Sequence, residues 1–127
     1  MSDYGDAAVH AARACQTQRA VDPVAAWEAA VQIHLRTEEG RKKSCPKSTF
    51  LGLCEEGLIK GVPVGNYTRS KDNKAYAIQA VRLLAKQPYL ADDSHALWKA
   101  IMAGVTKKSN SQMDVVIALW RDGLVQH

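Results

Sequence analysis

Residues 44–70 read SCPKSTFLGLCEEGLIKGVPVGNYTRS, and they hold the clearest fold signals in the chain. Cys45-Pro46 opens a helix, because proline is tolerated in the first helical turn. The apolar face of this helix consists of Phe50, Leu53 and Cys54. Gly57 stands where a left-handed C-terminal cap belongs, and Leu58 is placed to pack back in a Schellman motif. Gly52 costs stability in mid-helix, so it indicates either close approach by another backbone or a tolerated weakness.

The second half of this stretch cannot be helical throughout. Gly61, Pro63 and Gly65 interrupt any regular helix within a few residues. Residues 58–59 and 66–68 can pair as a small hairpin, and an ordered irregular loop fits equally well. We therefore expect a short irregular or β-hairpin-like insert near residues 58–67.

Five other segments carry apolar residues at three- and four-residue spacing, as amphipathic helices do. Asp22-Pro23 is a strong helix start, Pro88 stops a helix, and Ser111 with Asp114 forms a capping-box pattern. The six predicted helices span about residues 4–18, 23–37, 45–56, 70–87, 93–103 and 111–123. The fold class is therefore all-α, with a single compact domain over residues 1–127.

The last predicted helix resembles the third in sequence. FLGLCEEGLIK begins at Phe50 and VIALWRDGLVQ begins at Val116, and both end in Gly-Leu-aliphatic. We interpret this similarity as the same C-terminal cap used twice, with a repeated helical unit as the alternative.

Composition and charge are those of a globular protein, with 46% hydrophobic and 24% charged residues. The formal net charge is +4, and residues 36–74 hold nine lysines and arginines against five acids, so this segment carries the whole excess. Such a charge permits contact with nucleic acid or an acidic partner without requiring either.

Several classes of protein are not indicated by the sequence. The N-terminus lacks a signal-peptide core, and no later segment approaches a membrane span. Three irregularly spaced cysteines argue against a disulfide framework and indicate a reducing, cytoplasmic setting. Metal-ligand pairs, phosphate-binding glycine motifs and nucleophile elbows are missing, so we assign no cofactor, metal or catalytic residue.

Basic residues surround the central stretch and are candidates for contact with nucleic acid or a protein partner. The candidate contact residues are Arg41, Lys42, Lys43, Lys47, Ser48, Arg69, Lys71 and Lys74. If the third helix crosses the second, the pair resembles a helix-turn-helix with the insert as a wing, and Lys42, Lys43, Lys47 and Arg69 would contact phosphates. Against base reading, the helix ends in Glu55-Glu56 and lacks exposed Arg, Asn or Gln.

Cys45 is a candidate reactive thiol. The positive end of a helix, together with Lys43 and Lys47, favours the thiolate. A cysteine nucleophile also needs a base, for which the sequence offers only the distant His34 and His95. The alternative is a half-buried residue at the helix start.

Polar residues also occur beside apolar neighbours at several helix starts. They are Asn66, Tyr67, Asn73, Tyr76, Asn110, Gln112 and Asp114. We interpret them chiefly as helix caps, with a pocket for a small polar ligand as the alternative.

The strings CPKSTFLGLCEEG, NKAYAIQAV and NSQMDVVIALW resemble a family of small uncharacterised bacterial proteins, some carried as mobile integron gene cassettes. The resemblance runs from about residue 27 to residue 124. It implies a bacterial cytoplasmic protein and brings no known activity or site residues.

These observations favour a non-enzymatic binding or interaction module whose contact surface includes residues 41–74. Its expected partner is another protein or a second copy of the chain, with no membrane contact. The first alternative is a helix-turn-helix-like DNA- or RNA-binding protein that uses this basic segment. The second is a reactive-thiol enzyme or redox sensor at Cys45.

Overall fold

The structure is a computed structural model that describes residues 2–18 and 22–127. Its helices are α1 (Asp3–Thr17), α2 (Pro23–His34), the single-turn α3 (Glu38–Arg41), α4 (Ser44–Glu55), α5 (Lys71–Lys86), a 3-10 helix (Pro88–Asp92), α6 (Ser94–Met102) and α7 (Gln112–Arg121). The all-α prediction is confirmed, with six helices of nine residues or more in the described ranges. Among these residues, no helix has the length and apolar character needed to cross a membrane.

Capping side chains begin three helices where the sequence predicted them, namely Asp22 at α2, Ser70 at α5 and Asp93 at α6. Asp22 Oδ1 accepts hydrogen bonds from the backbone N–H groups of Val24 and Ala25 at 2.9 and 3.1 Å. The predicted capping box at Ser111 is wrong, because Ser111 adopts a left-handed φ of 68° and makes no side-chain cap bond. A typical N-cap is extended. The side chain of Gln112 accepts the N–H of Asn110 instead.

The second helix is shorter than predicted. It ends at His34, because Leu35 is extended, with φ −106° and ψ 131°. Thr37, expected to be its last residue, instead caps α3 by accepting the N–H of Gly40 at 3.0 Å. The basic segment that follows is therefore interrupted by a helical turn, where the sequence suggested a plain linker.

α4 is the central helix of the fold. Each of its residues from Ser48 to Glu55 is buried, and the helix packs against α2, α5 and α7. On the α2 side, Trp27 is 1% exposed and stacks on Phe50 with ring centroids 5.5 Å apart. α1 packs along α2 and α7, so the described helices share one hydrophobic core.

The two related helix ends form the same Schellman cap, as the sequence comparison predicted. The N–H of Leu58 donates to the carbonyl of Leu53 at 2.9 Å, and the N–H of Leu124 donates to that of Leu119 at 3.0 Å. The intervening glycine has a φ of 78° after α4 and 70° after α7. Glycine suits both positions because it adopts positive φ without a Cβ penalty.

The chain segments that leave these two caps pair with each other. Ile59 and Val125 form an isolated antiparallel bridge, flanked by hydrogen bonds from Lys60 N–H to Leu124 O and from Gln126 N–H to Leu58 O. The hairpin alternative for residues 58–67 is therefore wrong, since residue 59 pairs with the C-terminal segment. The irregular insert that we also predicted is what the structure contains.

Candidate functional site

Acidic side chains pair with two of the candidate contact lysines, one between helices and one along a single helical turn. Lys47 Nζ lies 2.5 Å from Glu28 Oε1 on α2, and Lys42 Nζ lies 3.3 Å from Glu38 Oε1 one turn earlier. Both pairs are largely exposed, and such pairs contribute little to stability. They do reduce the positive charge that these lysines offer to a phosphate.

The other cations around α3 and α4 contact the protein in different ways. Arg41 Nε donates to the carbonyl of Leu35 at 2.9 Å, which fixes the turn after α2. Lys43 Nζ donates to Asn110 Oδ1 at 3.4 Å. Arg69 is exposed and forms no ion pair within the described part of the chain. The contacts of these candidate cations within the protein are thus made with different partners.

A buried carboxylate, Glu55, organises the end of the insert and the start of α5. Its Oε1 accepts the backbone N–H groups of Tyr67 and Thr68 at 2.8 and 3.2 Å. Its Oε2 lies 2.7 Å from Lys74 Nζ and 3.5 Å from Lys71 Nζ. Two of the candidate contact cations therefore serve an internal ion pair. The sequence analysis missed this role, since it counted Glu55 only as an obstacle to base reading.

The environment of Glu55 favours its charged form. The hydrogen bond from Lys74 is the largest cause and, with the two backbone donors, lowers the pKa of Glu55 from 4.5 to about 2, against the opposing effect of burial. The same hydrogen bond raises the pKa of Lys74. The pair is therefore ionised at neutral pH and connects α4 to α5.

The position of α4 excludes it as a recognition helix. A helix that reads a nucleic-acid groove needs one exposed face with polar side chains, and every residue of α4 from Ser48 onward is buried. Ser48, a candidate phosphate contact, is 9% exposed, and the hydroxyl of Thr49 donates to the carbonyl of Cys45 at 2.8 Å. The helix-turn-helix interpretation is wrong for this helix, because apolar neighbours surround it.

Some of the polar residues noted at helix starts do come together. Gln112, which is 1% exposed, accepts the N–H of Asn110 and donates to Asn73 Oδ1 at 3.3 Å. Asn73 Nδ2 in turn donates to Ser70 Oγ at 3.0 Å. Both polar atoms of the Gln112 side chain thus have partners within the protein. This network connects the starts of α5 and α7. Gln112 and Asn73 bond within it and are not themselves helix caps, since Ser70 caps α5 and α7 has no side-chain cap.

A second cluster beside this network involves aromatic rings. Tyr76 on α5 packs edge-to-face on Trp98 of α6, with ring centroids 5.4 Å apart. Lys107 Nζ lies 5.0 Å from the centre of the Tyr76 ring and donates to its hydroxyl at 3.1 Å, which raises the pKa of Lys107. Trp98 Nε1 donates to the carbonyl of Lys107 at 2.9 Å. These contacts hold Lys107, in the segment between α6 and α7, against α5 and α6.

The three cysteines are free thiols in different environments. Cys45 lies in the first turn of α4 and is half-buried, whereas Cys15 and Cys54 are 4% and 0% exposed. Burial raises the pKa of the Cys15 thiol and raises that of Cys54 further. His34, considered as a base for Cys45, instead hydrogen-bonds the ring of His10. The structure therefore brings Cys45 no histidine from that position.

These environments predict selective alkylation. Iodoacetamide should modify only Cys45 in the folded protein, because a thiol reacts as its exposed thiolate. In urea it should modify all three cysteines. Mass spectrometry of intact Cys45→Ser protein should then show no adduct under native conditions. Adducts on Cys15 or Cys54 before unfolding would contradict the burial described above. A native rate well above that of a free cysteine would instead favour a reactive-thiol function.

A largely apolar groove runs along α5 and has a volume of about 450 Å³. We name it the α5 groove, and its apolar lining consists of Leu58, Ile78, Val81 and Ala85. Leu58 reaches it because the cap after α4 turns the chain towards α5. Polar residues occupy the remaining lining, namely Glu56, Arg82, Lys86 and His127.

The rim of the α5 groove is positively charged. Arg82 and Lys86 form no ion pair within residues 2–18 and 22–127, and they also line a shallower cleft on the next face of α5. Glu56, the acid of the groove, lies 3.4 Å from the Nζ atom of Lys74, which it shares with Glu55. The His127 ring is stacked on Trp120 with centroids 4.6 Å apart. The groove thus combines an apolar floor with two available cations.

Comparison with known proteins identifies a family for this chain. Neither the curated proteins nor the solved structures contain a match to this chain. A family model described as "Family of unknown function (DUF6979)" matches residues 1–126, nearly the whole sequence. The chain therefore belongs to DUF6979, a family of unknown function.

Proposed function

We propose that this protein is a binding module whose α5 groove docks an acidic, apolar segment of a partner protein. One observation carries the proposal: the groove's apolar lining is flanked by Arg82 and Lys86, cations without an ion-pair partner in the described chain. The sequence analysis expected the contact surface to include residues 41–74. The α5 groove contains only Glu56 and Leu58 from that segment, and most of its lining comes from later residues of α5.

An amphipathic helix suits such a surface. Its apolar residues, spaced three or four apart, would lie over Ile78 and Ala85. Its acidic residues would reach Arg82 and Lys86, which are one turn apart on α5. Apolar contact supplies affinity in this arrangement. The charges select acidic over basic partners and fix the orientation of the helix.

The same groove is poorly suited to nucleic acid. Single strands bind through aromatic platforms and many phosphate contacts. The ring in the lining, His127, is engaged with Trp120, and the apolar positions are aliphatic. Two cations over an aliphatic floor favour a protein segment.

The setting of the protein is proposed on two further grounds. The resemblance of its sequence strings to small bacterial proteins, some of them on mobile gene cassettes, supports a bacterial origin. The three free thiols support a reducing, cytoplasmic compartment.

A peptide-display selection tests the proposed function. A library of random 16-residue peptides would be selected on the wild-type protein, and binders would be measured by fluorescence anisotropy. We expect enriched peptides to be acidic, with apolar residues at helical spacing. They should bind Arg82→Glu at least about tenfold more weakly, since like charges across an interface cost affinity.

Matched variants elsewhere on the surface serve as controls. Lys99→Glu is the control for Arg82→Glu, because it makes the same charge change at an exposed lysine of α6 that has no ion pair in the described chain. Ile33→Ser, at an exposed position of α2, is the control for Ile78→Ser in the groove. Both controls should bind like wild type. Selected peptides whose affinity is unchanged by both Arg82→Glu and Ile78→Ser would refute the proposal. A dimer in sedimentation velocity that dissociates on Ile78→Ser would assign the groove to a second copy of the chain instead.

A further inference from the structure

Two histidines from different helices meet at the surface of the protein. His10 lies on α1 and His34 is the last residue of α2, and their ring atoms Nδ1 and Nε2 are 3.0 Å apart. The ring planes are nearly perpendicular, at 87°, with centroids 5.2 Å apart. The pair arises from the packing of α1 on α2 and joins residues 24 positions apart. No spacing motif in the sequence could reveal it.

The distance between the two nitrogens matches a pair of metal ligands. Bonds of about 2.1 Å from an ion to two imidazole nitrogens, meeting at about 90°, place those nitrogens about 3.0 Å apart, whereas a tetrahedral angle gives about 3.4 Å. The observed 3.0 Å therefore suits neighbouring positions of a square-planar or octahedral ion. Copper(II) and nickel(II) prefer imidazole ligands in these geometries.

The surface location of the pair leaves the remaining coordination positions to water. The two rings line a shallow groove together with Asp6, which precedes His10 by one helical turn on α1 and has no ion pair in the described chain. The cation of that groove, Arg121, is paired with Asp92. The described residues hold no ready group of three or more His, Cys, Asp or Glu ligands. Water would therefore fill the remaining positions, as the exposed location allows.

We infer that the His10–His34 pair binds one divalent transition ion, copper(II) or nickel(II), through two imidazole nitrogens. The ring that donates the hydrogen bond would change tautomer, so that its proton moves to its other nitrogen and both facing nitrogens offer a lone pair to the ion. Binding would connect α1 to the C-terminal end of α2 and stabilise their packing. This site is separate from the α5 groove and does not depend on the proposed docking function.

The test is titration calorimetry of the full chain, free of any histidine tag, with copper(II) sulfate and nickel(II) chloride. We expect one ion per chain for at least one of the two metals. His34→Ala should weaken binding at least about tenfold, because even the loss of an outer-shell partner costs 10–100-fold. For copper(II), electron paramagnetic resonance should show two coordinated nitrogens.

Two further variants make the test specific. His10→Gln retains a hydrogen-bonding side chain without an imidazole, and it should abolish the metal-dependent rise in melting temperature while its metal-free melting temperature stays close to wild type. The double variant His95→Ala/His127→Ala, which removes the exposed histidines elsewhere, should bind the metal like wild type. The inference would be overturned if the protein bound neither metal. It would also be overturned if binding were lost in this double variant but retained in His10→Gln.

Discussion

Replacing Gly52 by valine is expected to lower the free energy of unfolding by at least about 3 kcal/mol, the upper range for overpacking a filled core. A Cβ at this position would lie 2.8 Å from both Cα and Cβ of Lys74. The Cα belongs to the backbone of α5, so the clash can be relieved only by separating α4 from α5. The intrinsic helix preference of a residue other than glycine, worth less than about 1 kcal/mol, cannot compensate.

Urea unfolding monitored by circular dichroism measures this effect. Ala75→Val places the same side chain at an exposed position of α5, next to Lys74, and should cost well under 1 kcal/mol, the difference in helix propensity. If Gly52→Val unfolded at the same urea concentration as the control, α4 and α5 could not be as close as the structure places them.

The second large effect is expected at Glu55. Glu55→Gln should lower the free energy of unfolding at neutral pH by about 2–3 kcal/mol, because a buried ion pair that loses one partner leaves the other uncompensated. The side chain of Lys74 is only 20% exposed, and its nearest remaining carboxylate, Glu56, lies 3.4 Å away. Glutamine also replaces one carboxylate oxygen by an N–H₂ group. That group cannot accept a hydrogen bond from the donors that now face Glu55, which are the N–H groups of Tyr67 and Thr68 and the Nζ atom of Lys74.

The same residue gives the stability a defined pH dependence. The pKa of Glu55 is lower in the folded protein, about 2, than its ordinary value of 4.5. Its contribution is therefore complete above about pH 4.5 and is lost as the pH falls towards 2. Glu55→Gln should remove this part of the pH dependence.

Urea unfolding of wild type and Glu55→Gln at pH 7 and pH 3 measures that difference. Glu28→Gln serves as the control, because Glu28 pairs with Lys47 at the surface and its side chain is 51% exposed. The control should change stability by less than about 1 kcal/mol at either pH. An equal fall in stability between pH 7 and pH 3 for wild type and Glu55→Gln would show that Glu55 is not held as described.

The features that were predictable from sequence are the local ones. Asp22-Pro23 sets a helix start through atoms two and three residues away, and Gly57 and Gly123 set helix ends in the same way. The structure confirms the close backbone approach suggested for Gly52. Ser111 shows the limit of local pattern reading, since it adopts a left-handed φ of 68° and makes none of the side-chain bonds that the capping box assigned to it.

Features that depend on tertiary contacts could not be predicted. Glu55 gains its role only when residues 67–74 fold back onto α4, and His10 meets His34 only when α1 packs on α2. The basic segment was misleading for the same reason. Net charge along the chain does not show that Lys47 and Lys74 pair with acids on other elements.

The central claim is that the α5 groove is the binding surface, and amide chemical shifts test it most directly. A selected acidic peptide would be titrated into ¹⁵N-labelled protein, and the shifted amides would be mapped on the structure. We predict that the largest shifts lie at Leu58, at Ile78 to Lys86 and at His127. Shifts centred on residues 41–48, with the α5 groove unaffected, would contradict this account.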